Sequence, residues 1–135
     1  MNINKKKFDQ YLNNQNLNFI NRYLHSIRYK YIYEIFKDYQ KSIDRKINIV
    51  DIGCGHAHLF EILNSSFNIE YFGIDKSPRF TDHLESMKNK NNNFNFINDY
   101  AQNQSELFKR ADIIVSLETF EHVPDDQITD LITEI

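Results

Sequence analysis

The sequence predicts an α/β fold: a Rossmann-like parallel sheet flanked by helices and preceded by an N-terminal helical segment. Three observations predict it. Short apolar runs alternate with segments of helical period from Ile47 to the end of the 135-residue chain. The first run leads into a glycine-bearing turn, Ile49-Val50-Asp51-Ile52-Gly53-Cys54-Gly55-His56-Ala57-His58. An acid also stands at the carboxyl end of each of four successive runs: Asp51, Asp75, Asp99 and Glu118.

The elements follow in order. Residues 1–18 are polar and asparagine-rich, and read either as a frayed end or as a short helix around Phe8 to Leu12. Ile20, Leu24, Ile27, Tyr31 and Ile35 recur at steps of three and four, which is one face of an amphipathic helix. The tyrosines Tyr23, Tyr29, Tyr31 and Tyr33 could line a pocket, but read more simply as half-buried core and rim. Residues 47–52 form the first expected strand, and Leu59 to Leu63 continue a helix after the turn. A second strand spans 71–74. Ser77-Pro78 then signals a helix start, with Ser77 as cap and Pro78 in the first turn. Phe80, Leu84 and Met87 give that helix its apolar face, and 88–93 read as a polar loop. Phe94, Phe96 and Ile97 mark a third strand. Ser105 caps a short helix through Phe108. Residues 112–117 are the fourth strand, apolar as a strand covered on both faces would be. Asp125 or Asp126 caps a last helix with the face Ile128, Leu131, Ile132 and Ile135. The expected division is a helical segment over 1–45 and the Rossmann-like domain over 46–135.

Composition excludes several function classes. A net charge of −3 and a pI near 5.9 leave no electrostatic footprint for nucleic acid. The lone cysteine, Cys54, forbids an internal disulfide and a cysteine-rich zinc site. No apolar run approaches the roughly 20 residues of a membrane span, and no apolar core follows Lys5-Lys6-Lys7 as a signal peptide requires. The expectation is a soluble, cytoplasmic protein with no membrane or nucleic-acid partner.

The glycine turn carries the most chemistry. Glycines admit positive φ and let the backbone approach a ligand closely. An acid just before such a turn favours a cationic or hydroxyl-bearing group, which suits a zwitterionic nucleoside better than a bare phosphate. A dinucleotide site, G-x-G-x-x-G, would place its third glycine at His58. The pattern D-x-G-x-G-x-G instead uses Asp51, Gly53, Gly55 and Ala57, the last glycine being replaced by the next smallest residue. That string resembles motif I of the class I S-adenosylmethionine-dependent methyltransferases.

The later acids extend the resemblance. Asp75, in Phe72-Gly73-Ile74-Asp75-Lys76-Ser77, lies about twenty residues beyond the turn, where an acid accepts hydrogen bonds from ribose hydroxyls; this is similar to motif II. Asp99, in Ile97-Asn98-Asp99-Tyr100-Ala101, resembles the motif III position that meets the adenine amino group, with Tyr100 or Ala101 against the ring. Glu118-Thr119-Phe120-Glu121-His122-Val123 resembles the E-x-x-E-H-V string of motif IV in small-molecule methyltransferases. The resemblance covers about 22–135. It implies S-adenosyl-L-methionine as cofactor, held by Asp51, Gly53, Cys54, Gly55, Asp75, Lys76, Asp99, Tyr100 and Glu118. It implies His122 and Glu118 as catalytic residues, His122 because histidine exchanges protons near neutral pH. By the same resemblance a helix ahead of motif I covers the cofactor, so that His25 or Arg28 faces the pocket. No metal site is expected, since the small-RNA enzymes that use the Glu118, Glu121 and His122 positions for a metal need a further histidine, and none follows here.

The implied function is methyl transfer to a small-molecule or sugar acceptor. The family's sheet has seven strands in the order 3-2-1-4-5-7-6, and four are expected here, in the order 3-2-1-4. The chain therefore reads as the cofactor-binding half of that fold, with a partner chain or a second copy completing the sheet. Two other readings stand beside it: a non-catalytic cofactor-binding module acting with a partner, and an RNA 2′-O-methyltransferase-like or NAD-binding fragment.

Overall fold

The computed structural model describes residues 19–135. The short helix expected at Phe8 to Leu12 lies outside them. The described chain forms two units: one holds the residues up to Arg45 together with His58–Asn68, and the other holds Lys46–Ala57 and Ile69–Ile135.

The second unit is built on four parallel strands, β1 (Ile47–Ile52), β2 (Ile69–Ile74), β3 (Phe94–Ile97) and β4 (Ile113–Ser116). Their order is β3-β2-β1-β4, as the sequence predicts. The register sets Asp51 beside Gly73 and Val115, and Ile52 beside Ile74 and Ser116. Central β1 is buried at every position except Asn48, which is half-buried. β2 begins two residues before its apolar pattern. Glu70 can sit on it because its carboxylate pairs with Lys46 at 2.8 Å and accepts from Asn95 Nδ2 at 2.9 Å. β4 departs from expectation: all four residues are half-buried, since the strand lies at the sheet edge.

Three helices and two 3₁₀ turns complete this unit: α3 (Pro78–Lys90), α4 (Ser105–Phe108) and α5 (Asp125–Glu134), with turns at Ala101–Asn103 and Phe120–His122. Pro78 opens α3, and Leu84 and Met87 are its buried residues. Ser77 holds the cap position without a side-chain cap bond, and its N–H donates instead to Asp75 Oδ1 at 2.8 Å. The expected loop at Lys88 is helical through Lys90; basic residues in a last turn suit the negative end of the helix dipole. The cap positions of α4 and α5 fall on Gln104 and Pro124, one residue before the expected Ser105 and Asp125. Asp125 and Asp126 instead occupy the first turn, where the dipole favours acids. Of the face expected on α5, Leu131 is buried while Ile132 and Ile135 are exposed. Leu131 joins Val50, Ile52, Ile74, Ala101 and Phe108 in one apolar cluster, against which Phe72, Ile97 and Ile114 pack.

The first unit contains a long helix and a short one, α1 (Phe19–Ser42) and α2 (His58–Leu63). The face expected to be buried on α1 is the wrong one. Leu24, Ile27, Tyr31 and Ile35 are between 46% and 71% exposed, whereas Tyr29, Tyr33 and Phe36 are buried. Both rows have helical spacing, and contact with Phe67 goes to the aromatic one. Tyr33 and Phe36 meet the Phe67 ring at centroid distances of 4.9 and 6.0 Å. The side chain of Ile20 lies outside the described residues. Among the described residues no helix is long and apolar enough to cross a membrane.

Candidate functional site

Parallel sheets bind ligands beyond the carboxyl ends of their strands, where the strand order reverses. Here the reversal lies between β1 and β4, and a cavity of about 460 Å³ opens there, lined wholly by residues of the sheet unit. The turn after β1 supplies Gly53 and Gly55 to its wall, and β2 leads to Asp75 and Lys76. β3 leads to Asp99 and Tyr100, and β4 to Glu118, Thr119 and His122.

The two turn glycines are needed for different reasons. Both have positive φ, +71° at Gly53 and +53° at Gly55. A Cβ at Gly53 would stand 2.2 Å from Thr119 Oγ1, so the turn and the loop after β4 touch only because that position lacks a side chain. A Cβ at Gly55 would meet nothing within 4 Å, which leaves that peptide open to an approaching ligand. Ala57, the third position of the motif, has φ +54° and is fully buried. That explains why a residue without a large side chain is used there.

Asp75 organises the turn from the neighbouring strand. Its Oδ2 accepts the Gly55 N–H at 2.9 Å and its Oδ1 accepts the Ser77 N–H at 2.8 Å. Asp99 is anchored similarly. Oδ1 accepts from the Tyr100 N–H and Asn103 Nδ2 at 2.7 and 2.9 Å, and Oδ2 accepts from Gln104 Nε2 at 2.9 Å. The Asn103 bond foremost, with the Tyr100 and Gln104 bonds beside it, holds this carboxyl below its ordinary value, so it is ionised. Lys76 Nζ lies 3.9 Å from the centroid of the Tyr100 ring.

Thr119 ties the loop after β4 to the end of β1. Thr119 Oγ1 lies 3.0 Å from the Ile52 carbonyl and 3.3 Å from that of Leu117. The Thr119 carbonyl accepts the His122 N–H at 3.0 Å and so starts the turn that carries the histidine. Glu118, between β4 and Thr119, has φ +56°, a left-handed conformation unusual outside glycine.

Of the expected site residues, Gly53, Gly55, Asp75, Lys76, Asp99, Tyr100, Glu118 and His122 all line the cavity, whereas Asp51 and Cys54 do not. Asp51 is buried, and its carboxyl accepts the hydroxyl of Tyr71, whose ring stacks on Phe94 at 5.4 Å. Burial pushes Asp51 up to about 7, with the Asp75 charge adding to the rise and the Tyr71 bond opposing it. Burial, with the Asp51 and Asp75 charges behind it, also pushes the Cys54 thiol well above its ordinary value, leaving it a small apolar filler against Gly73. The side chain of His25 lies outside the described residues, and Arg28 belongs to the helical unit. Sequence reasoning missed Thr119, Phe80 and Gln127 as wall residues. Thr119 had one signal, its place beside Glu118 in the E-x-x-E-H-V string.

Comparison with solved structures gives the same architecture. The chain aligns with magnesium protoporphyrin IX methyltransferase from Synechocystis PCC 6803, crystallised with bound S-adenosylmethionine, at a TM-score of 0.65 and 16% identity, covering 87% of this chain and 57% of that one. With the bifunctional kinase-methyltransferase WbdD the values are 0.64 and 17%, over 79% and 25% of the two chains. With an S-adenosylmethionine-dependent methyltransferase from Archaeoglobus fulgidus they are 0.54 and 17%, over 87% and 52%. The chain thus spans from a quarter to somewhat over half of these proteins. A search of curated proteins returns no significant match. A family model described as a methyltransferase domain matches residues 23–135. By that match the chain belongs to the methyltransferase-domain family, whose methyl donor is S-adenosylmethionine.

Proposed function

We propose that the cavity at the β1–β4 switch point holds S-adenosylmethionine and that the chain acts in methyl transfer to a small-molecule or sugar acceptor. One observation carries the reading. Carboxylates from the ends of three strands, Asp75, Asp99 and Glu118, converge on a cavity whose lining contains one lysine and no arginine. The ammonium of that lysine lies over Tyr100. Such a wall fits a ligand with a cationic centre and several N–H and O–H donors, and it disfavours a phosphate.

Each residue then has a task. Asp75, fixed by two backbone N–H donors, keeps outward lone pairs for a pair of vicinal hydroxyls. Asp99 and Tyr100 face a planar base. The open Gly55 peptide admits the amino-acid end, and the Glu118 carboxylate faces positive charge in a wall of low dielectric. When bound, the cofactor supplies an electrophilic methyl on sulfur. The protein must hold an acceptor in line with it, and positioning of that kind contributes much of the rate in a bimolecular displacement. His122, at the cavity wall, is the group placed to take a proton from an acceptor hydroxyl. Asp51, away from the wall, supports the turn from beneath rather than touching the ligand.

Calorimetric titration of S-adenosylhomocysteine into the chain, with NADH as control, tests this reading. The expected result is saturable one-to-one binding of the first and none of the second. A folded chain that prefers NADH, or binds neither, overturns it.

A further inference from the structure

The hydroxyl of Thr119 joins the post-β4 loop to the end of β1, at the wall of the cavity. Its oxygen lies 3.0 Å from the Ile52 carbonyl, the last of β1. Its β-carbon, methyl and hydroxyl occupy the space that a side chain at Gly53 would fill. On its N-terminal side stands Glu118, at φ +56°. On its C-terminal side its own carbonyl takes the His122 N–H at 3.0 Å. A left-handed glutamate costs free energy and persists only where its surroundings fix it. Thr119, the next residue, is tied to the end of β1.

We propose that Thr119 is a positioning residue: through its hydroxyl bond to Ile52 and its packing on Gly53 it locks the glycine turn to the Glu118–His122 loop, holding the Glu118 carboxylate toward the positive centre of the ligand. The proposal rests on the cofactor reading above. It also explains a feature that backbone conformation alone does not. Gly53 must be glycine both for its φ and because Thr119 stands where its side chain would be. The turn and the loop therefore form one rigid wall, and disturbing either disturbs both. Asp99 is held by bonds within its own loop, and Asp75 by Ser77 beside it and by Gly55 of the glycine turn.

The test is to titrate two ligands that differ in charge at one atom, S-adenosylmethionine (a sulfonium) and S-adenosylhomocysteine (a neutral thioether), into wild type, Thr119→Val and Thr119→Ser. Valine keeps the shape and removes the donor; serine keeps the donor. Thr119→Val is expected to weaken S-adenosylmethionine by about fivefold, the scale of one hydrogen bond, and to weaken S-adenosylhomocysteine much less. Thr119→Ser is expected to stay near wild type in both. Should Thr119→Val fail to fold, Thr119→Ala against Thr119→Ser decides in the same way. Parallel loss of both ligands, or serine behaving like valine, would make Thr119 a packing residue and overturn the proposal alone. Wild type binding neither ligand would overturn the cofactor reading and this proposal together.

Discussion

In the proposed site, single residues divide into those that face the ligand and those that hold them. Asp75 is in the first class and also orders the turn through Gly55. Asp75→Ala is expected to abolish binding of S-adenosylhomocysteine while the circular dichroism spectrum stays that of the wild type; normal affinity would end the ribose assignment. Glu118 carries conformational strain without large burial. Glu118→Gly should raise stability by about 1 kcal/mol, since glycine takes the left-handed conformation freely, while weakening binding of the sulfonium ligand. Thermal melts and calorimetry read the two effects separately. Asp51 makes stability depend on pH. Its folded carboxyl holds its proton more tightly than the ordinary 3.8, with a value of about 7. Folding is therefore favoured by this group at low pH, and that contribution is lost as pH rises from 3.8 through about 7. A displacement of that size corresponds to a loss on the order of 4 kcal/mol by pH 8. Asp51→Asn, which keeps an acceptor for Tyr71, should be more stable than wild type at pH 8 and level with it near pH 4 in denaturant titrations. Equal pH dependence in the two proteins would contradict the buried-acid account.

At the scale of elements, the sequence made the sheet legible and the helices less so. Parallel strands buried on both faces read as apolar runs, so the strand ends and their four acids could be located from residue type alone. β2 was read two residues short because Glu70 is polar, and its satisfaction by Lys46 and Asn95 is a contact between distant segments. α1 was read on the wrong face because two apolar stripes share its period and only tertiary contact with Phe67 decides between them. The caps of α4 and α5 fell one residue early, since Gln104 and Pro124 supply cap geometry without being strong cap formers. The cavity wall was mostly legible through spacing. Asp51 and Cys54 were exceptions: an acid inside a strand gives no sign of whether it faces a ligand or a tyrosine, nor a cysteine in a turn of whether it faces the ligand or the neighbouring strand. Thr119 was illegible as a contact, because its partners Ile52 and Gly53 lie more than sixty residues away.

For the whole molecule, the sheet order β3-β2-β1-β4 leaves β4 at an edge, with all four of its residues half-buried and with Ile132 of α5 and the following Ile135 exposed. An apolar edge of this kind invites pairing. A partner chain or a second copy on β4 is the proposed complement. Light scattering should show association that grows with concentration, and a charge introduced at the edge by Ile114→Lys should suppress it. A concentration-independent monomer would remove that proposal. The family membership and the fold do not depend on this edge; the cavity belongs to the sheet unit alone.

The central claim is that the strand-end carboxylates and the glycine turn form one ligand site. It is tested most directly by following backbone amide NMR shifts as S-adenosylhomocysteine is added. Saturable shifts concentrated at Gly53, Gly55, Asp75, Lys76, Tyr100, Glu118 and Thr119 are expected. A well-dispersed spectrum that does not change, or changes centred on other residues, would contradict it.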